Sequence, residues 1–224
     1  MYTHFFKRFL DIILSFLALV ILSPIMIPVI IGLLLTGEHY VFYLQKRIGY
    51  KKKPFKILKF ATMLKASPNL PGGLHTTKKD PRILPMGSFL RKTKINEIPQ
   101  LLNILSGQMS IVGPRPLVDK TFAPYPEHVK NSIYNVRPGL TGIGSIVFRD
   151  EERLLSSTNL NPKEFYDKFI SPYKGELELW YQCKISFYTD FMLVLLTAWV
   201  IFFSESDLVY TIFKDLPQRP EELK

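Results

Sequence analysis

Two arginines stand where the local backbone is stiff. Arg115 lies between Pro114 and Pro116, and Arg137 opens an Arg137-Pro138-Gly139 turn. Proline holds φ near −65°, so each guanidinium is presented from a backbone with few alternative conformations. A planar guanidinium with five donors matches the oxygens of a phosphate. Arg91 precedes Glu97 by about one and a half helical turns. Any one of these arginines is explained equally well as a solvated charge, but the three together point to a phosphate-binding cluster. Asn96-Glu97 comes immediately before the apolar positions Ile98, Leu101, Leu102 and Leu105, with Gly107 as terminator. That spacing predicts a helix with Asn96 as its N-cap and Glu97 in its first turn, where the helix dipole favours an ionised carboxylate.

The elements around these residues can be read from pattern. The pieces YVFYLQ (40–45) and PFKILKF (54–60) flank Gly49-Tyr50 and predict a β-hairpin. Residues 65–85 are rich in Pro, Gly, Asn and Asp without periodicity, and predict a loop. Gly87-Ser88 opens a helical piece through Phe89, Leu90 and Ile95. QMSIVGPRPLV (108–118) predicts a short apolar strand running into the proline turn. Asp150, Glu151 and Glu152 read first as an acidic helix start, and second as spare carboxylates. Leu160–Lys174 reads as loop and then helix.

From Ile12 to Leu35 there is no charged residue, which meets the requirement of about 20 residues for a membrane helix. Pro24 and Pro28 fall inside this run, and basic residues flank both ends: Lys7 and Arg8 before it, Lys46, Arg47 and Lys51–Lys53 after it. Positive charge marks the cytoplasmic side. Both features favour a helix that enters one leaflet, breaks at Ser23-Pro24 and returns, over a kinked spanning helix. Ser23 can then bond a carbonyl freed by Pro24. Asp11 is expected to pair with Lys7 or Arg8 at headgroup level. The later apolar stretch Phe191–Phe203 is too short to span, and fits a helix lying in the interface better than a core helix, with Trp180, Tyr188 and Trp199 at headgroup depth.

A formal charge of +10 implies anionic partners. No nucleic-acid module is recognisable, and much of the positive charge flanks the apolar segment. The single Cys183 precludes an intramolecular disulfide and reads as a small core residue; no Cys/His cluster has zinc spacing. The expected fold class is α+β, mainly α: a re-entrant membrane anchor over 1–36, and a small cytosolic globule with amphipathic interface helices over 37–224.

Several longer runs carry a family likeness: KRFLDIILS (7–15) with Ser23-Pro24, FKILKFATM (55–63), NEIPQLLNILSGQMSIVGPRPL (96–117) and RPGLTG (137–142). With these the chain resembles the bacterial sugar transferase family, the monotopic polyprenyl-phosphate phosphoglycosyl transferases. The resemblance implies transfer of a sugar-1-phosphate from a nucleotide diphosphosugar, usually a UDP-sugar, to polyprenyl phosphate with release of UMP, using Mg²⁺ at the cytoplasmic face of the bacterial inner membrane. It implies membrane lipids as neighbours and leaves self-association into a homo-oligomer open. Residue by residue it makes Glu97 the glutamate of a catalytic Asp-Glu pair and a Mg²⁺ ligand, and it gives substrate-binding roles to Lys59, Arg91, Arg115 and Arg137.

The departure from the family pattern is at its centre. Asn96 stands where the family's nucleophilic aspartate is expected, and Gln108 replaces another aspartate. An amide is a poor nucleophile, but an N-cap asparagine serves the fold as well as aspartate does. The expectation is therefore an enzyme with Glu97 and Asn96 at its catalytic centre; the alternative is a catalytically impaired relative that binds nucleotide-sugar or lipid phosphate as a scaffold.

Overall fold

The computed structural model describes residues 2–67 and 80–223. After a π-helical lead-in at Tyr2–Phe6 the chain forms helix α1, Lys7–Leu35. Strands β1 (Phe42–Ile48) and β2 (Pro54–Phe60) make a hairpin around a 3-10 turn at Tyr50–Lys52. Helices α2 (Gly87–Lys92) and α3 (Gln100–Leu105) follow, separated by a 3-10 turn at Ile95–Glu97. Strand β3 (Ser110–Val112) precedes α4 (Asp119–Phe122) and α5 (Glu127–Ser132), and β4 (Gly139–Thr141) leads into α6 (Ile143–Val147). The remainder is helical: α7 (Glu151–Ser157), α8 (Pro162–Phe165), a π segment at Tyr166–Ile170, α9 (Ser171–Cys183), α10 (Phe187–Phe202) and α11 (Leu208–Ile212). The mainly helical α+β class is as expected; most of the loop expected over 65–85 lies outside the described residues.

The chain divides into two compact units, one of Met1–Asp11, Lys46–Phe55 and Gly107–Lys224, the other of Ile12–Gln45 and Lys56–Ser106. In the larger unit, Ile143, Ile170, Leu177, Tyr181 and Leu193 form the centre of one apolar cluster, and Val129, Ile133 and Tyr134 the centre of a second. Its two-stranded sheet is parallel, Ser110 facing Gly139 and Val112 facing Thr141. The pairing is close at Gly139, where a Cβ would come within 2.1 Å of the Gly113 nitrogen. In the smaller unit Val29, Leu33, Phe60 and Leu90 are the buried centre, flanked by Met26, Met86 and Ile95.

Helix α1 continues through both prolines as one 29-residue helix, long and apolar enough to cross a membrane. Pro24 has no N–H to offer the Val20 carbonyl, and the Ser23 hydroxyl donates to that oxygen at 2.7 Å. The side-chain substitution expected at Ser23-Pro24 is thus present, and the helix does not unwind there. Asp11 does not serve as a headgroup-level ion-pair partner for Lys7. It is buried and accepts from the Ser110 hydroxyl at 3.1 Å and the Ile111 N–H at 2.9 Å, capping β3. Lys7 pairs with Asp190 of α10 at 2.5 Å.

Helix α10 has two apolar faces. Leu193, Leu196 and Val200 are buried, while Phe187, Phe191, Leu195 and Trp199 are exposed. An all-round apolar helix with one face in the core leaves the other for a nonaqueous neighbour. Cys183 is exposed at the end of α9, contrary to the core position expected of it.

Candidate active site

Within the smaller unit, Lys59 projects from β2 and Glu97 from the 3-10 turn, and they meet as an ion pair, Nζ to Oε1 at 2.6 Å, with side chains 15% and 19% exposed. Lys59 is positioned by Asn103 of α3. The Asn103 amide donates to the Lys56 carbonyl and accepts from the Leu58 N–H, both at 2.9 Å, imitating a neighbouring strand at the sheet edge. Sequence reasoning missed Asn103. Its only signal is a polar residue on the apolar face of a helical pattern, which marks a buried amide without naming its partner.

The helix start differs from expectation. Asn96 is not an N-cap: it lies inside the 3-10 turn, and α3 begins only after Pro99, whose fixed φ and missing N–H suit the first helical position. Lys94 takes a left-handed conformation (φ 61°) just before that turn, and so separates α2 from it. Glu97 therefore owes its environment to the Lys59 ammonium more than to a helix dipole. Asn96 is 8% exposed, and its Oδ1 is buried with no hydrogen-bond partner. An orphaned amide oxygen costs free energy unless something fills it. Arg91, on α2, reaches the Met63 sulfur at 3.5 Å. Nearby, Arg82 forms a buried double contact with Asp80, Nε to Oδ1 at 2.9 Å and Nη2 to Oδ2 at 2.6 Å, a pair concealed in the sequence by its loop-like composition.

Arg115 and Arg137 belong to the larger unit, so the three expected arginines are divided, Arg91 in one unit and these two in the other. The Arg115 carbonyl accepts from the Tyr134 hydroxyl at 2.9 Å, and that hydroxyl accepts from the Leu117 N–H at 2.9 Å. Arg47 donates to the Pro116 carbonyl at 3.0 Å. The proline turn is therefore fixed by side chains as well as by its rings. Arg137 donates from Nε to the Gly107 carbonyl at 2.9 Å, and its guanidinium carbon lies 5.4 Å from the Tyr50 ring centre. Gly107, at φ +84°, is the glycine terminator expected after α3.

The family model for the bacterial sugar transferases matches residues 2–204. The chain belongs to this family. Among similar proteins, an exopolysaccharide production protein, ExoY, of Sinorhizobium fredii is 38% identical over 159 residues, covering 65% of this chain and 70% of the relative. The UDP-glucose:undecaprenyl-phosphate glucose-1-phosphate transferase of Escherichia coli is 35% identical over 188 residues, covering 83% of this chain but 39% of the relative. The undecaprenyl-phosphate galactose phosphotransferase of Salmonella typhimurium is 31% identical, with 84% of this chain and 40% of the relative covered. The chain thus spans less than half of the two transferases whose names state a reaction.

The resemblance to the family implies a magnesium ion. Among the described residues no group of three or more His, Cys, Asp or Glu side chains could hold a metal. What the 3-10 turn offers is one carboxylate, Glu97, which is paired with Lys59, and the buried amide oxygen of its chain neighbour Asn96, which has no partner. Mg²⁺ commonly takes only one or two protein oxygens, with substrate phosphates and water completing its shell.

Proposed function

We propose that this chain transfers a sugar-1-phosphate from a UDP-hexose to undecaprenyl phosphate, releasing UMP and starting a lipid-linked glycan. The similarity over 83% of the chain to a transferase of that name carries the reading. In the reaction, a phosphate oxygen of the acceptor forms a bond to the sugar-linked phosphorus of the donor. The bond from that phosphorus to the bridging oxygen breaks, and UMP leaves with the electron pair. Lys59 orients Glu97, and substrate-binding roles are proposed for Arg91 in the smaller unit and, separately, for Arg115 and Arg137 in the larger. Glu97 and the Asn96 amide oxygen would hold Mg²⁺, which supplies charge neutralisation on the diphosphate when bound. Asn96 lacks a nucleophilic oxygen, which favours direct attack by the lipid phosphate over a covalent enzyme intermediate.

The family's cytoplasmic-face topology extends the reading: α1 re-enters the leaflet it came from, and the exposed face of α10 rests in the lipid interface. A Thr3→Cys variant on a Cys183→Ser background is expected to be shielded from an impermeant thiol reagent applied outside intact cells. Labelling of that position would establish a spanning helix. Release of UMP from UDP-glucose or UDP-galactose, in detergent with undecaprenyl phosphate and Mg²⁺, tests the reaction. Binding of the donor without turnover would make the chain a scaffold instead.

A further inference from the structure

The Pro114-Arg115-Pro116-Leu117 run has its carbonyls taken one by one from different parts of the larger unit. Pro114 accepts from the Gly139 N–H at 2.9 Å, Pro116 from Arg47 at 3.0 Å and Leu117 from the Ile48 N–H at 2.9 Å. The Arg115 carbonyl takes its hydrogen bond from a neutral side chain, the Tyr134 hydroxyl. That hydroxyl donates to Arg115 and accepts from the Leu117 N–H, each at 2.9 Å, so it grips the chain on both sides of Pro116. Pro116 itself has no N–H to offer. A carbonyl and the N–H two residues on can close directly on each other in a three-residue turn. Here the phenol oxygen stands between them, and the run is held open at Arg115.

Tyr134 is itself well fastened. It is 1% exposed, packs with Ile48, Leu117 and Val129, and has the Phe122 ring centre at 5.6 Å. Its own carbonyl accepts from the Lys51 N–H of the hairpin turn at 2.7 Å. Three residues further along the chain is Arg137, whose turn touches the proline run a second time. Gly139 donates to Pro114, and a Cβ on Gly113 would stand 2.4 Å from the Arg137 carbonyl, so glycine is what allows the two turns to meet. The turns that carry Arg115 and Arg137 are therefore joined at two points. The Gly139 bond holds the base of the proline turn, and the Tyr134 hydroxyl holds the peptide of the arginine. Two points stop a stiff turn from pivoting about one.

We infer that the Tyr134 hydroxyl is a positioning group for Arg115: it sets the direction of the Arg115 peptide against the Arg137 turn, and so where the guanidinium meets the donor. The consequence for the donor rests on the proposed function; the contact does not. Tyr134→Phe removes one oxygen and keeps the ring and the Lys51 bond. It is expected to weaken UDP-glucose binding, read as calorimetric Kd and as donor KM, at least about threefold, with kcat within about twofold of the parent. Arg115→Ala should lose more, and adding Tyr134→Phe to it should change Kd by less than about twofold, because a positioning group has no effect once the group it positions is gone. The full loss recurring on that background would mean that the hydroxyl acts elsewhere, and would overturn the assignment; so would parent-like donor binding in Tyr134→Phe. Amide hydrogen exchange tests the contact separately. In Tyr134→Phe the Leu117 amide should exchange faster while the Lys51 amide stays as protected as in the parent; equal acceleration at both would be general loosening and would count against the inference. In the parent itself, a Leu117 amide that exchanges as freely as an exposed one refutes the contact, whether or not Tyr134→Phe folds. A parent that binds no donor refutes the functional reading instead, and exchange at Leu117 and Lys51 still decides the contact.

Discussion

Removal of Asp190 should expose how the amino-terminal segment is fastened. Its carboxylate receives Lys7 Nζ at 2.5 Å, the Tyr2 hydroxyl at 2.7 Å and, on the other oxygen, the Tyr181 hydroxyl at 2.7 Å. The Lys7 and Asp190 side chains are 14% and 10% exposed, so water screens the pair only weakly. Asp190→Ala leaves a desolvated ammonium and two phenols without their acceptor, a loss of about 3–5 kcal/mol. Lys7→Met leaves the carboxylate with two neutral donors, and should cost less, about 2 kcal/mol. Combining Lys7→Met with Asp190→Ala removes both charges together, and a buried pair replaced by apolar groups is often close to neutral. The double variant should therefore be more stable than Asp190→Ala alone, with a coupling of at least about 1.5 kcal/mol. Thermal unfolding in detergent, followed by intrinsic fluorescence, reads this directly, because 1 kcal/mol corresponds to about 2–4 °C at this chain length. Asp190→Ala should lower Tm by roughly 6–20 °C on that scale. If the two single effects add to within about 0.5 kcal/mol, the ion pair is not the fastening and the reasoning fails.

Other outcomes follow from the two units taken singly. Glu97→Gln, which removes the one carboxylate of the 3-10 turn, is expected to abolish UMP release while leaving the fold intact; Lys59→Met should reduce it strongly for the same reason. Asn96→Asp places a carboxylate where the orphaned amide oxygen is, and should raise turnover only if it also leaves radiolabelled phosphosugar on denatured protein in the absence of lipid acceptor. Arg115→Ala and Arg137→Ala should each weaken donor binding about tenfold or more, the value of one charge-assisted contact, measured by calorimetry with UDP-glucose. Burial pushes the Glu178 carboxyl up to about 8, with Lys174 opposing the shift. The unfolded value is about 4.3, so between the two the folded chain keeps a proton that the unfolded chain has released. Its contribution to stability is full below the lower value, declines as pH rises to about 8 and is constant above, and Glu178→Gln should flatten that slope in unfolding scans from pH 5 to 9.

The pattern-based elements were legible because their signals are local. The hairpin, the glycine after α3, the strand entering Pro114 and the apolar α10 each depend on residues within one element and its turns. The failure at Asn96 shows the limit. Asn-Glu before an apolar repeat is a good N-terminus on sequence, yet Pro99 sits three residues later and is a stronger start signal, so the structure places the cap there and leaves Asn96 in a tighter turn. Asp11 failed differently. Its charged neighbours in sequence were the obvious partners, but partner choice was decided by β3, a hundred residues away, which supplies two donors at once.

The residues that were not legible share a property. Asn103, Glu178, Asp190 and Tyr134 are all polar groups on apolar helix faces or loops, and all are buried. A buried polar group must be satisfied, so each implies a partner, but the identity of the partner is a tertiary fact. In this chain the partners of Asn103 and Tyr134 are backbone groups of the segments that carry Lys59 and Arg115, and those of Asp190 are the side chains of Lys7, Tyr2 and Tyr181. Proline supplies stiffness at Arg115 and Arg137, but a stiff turn still pivots as a body unless its ends are held. The rings narrow each turn's internal freedom, and the buried polar side chains set where the turn points. Loss of the Tyr134 hydroxyl should therefore let the Arg115 turn move without unfolding the elements around it.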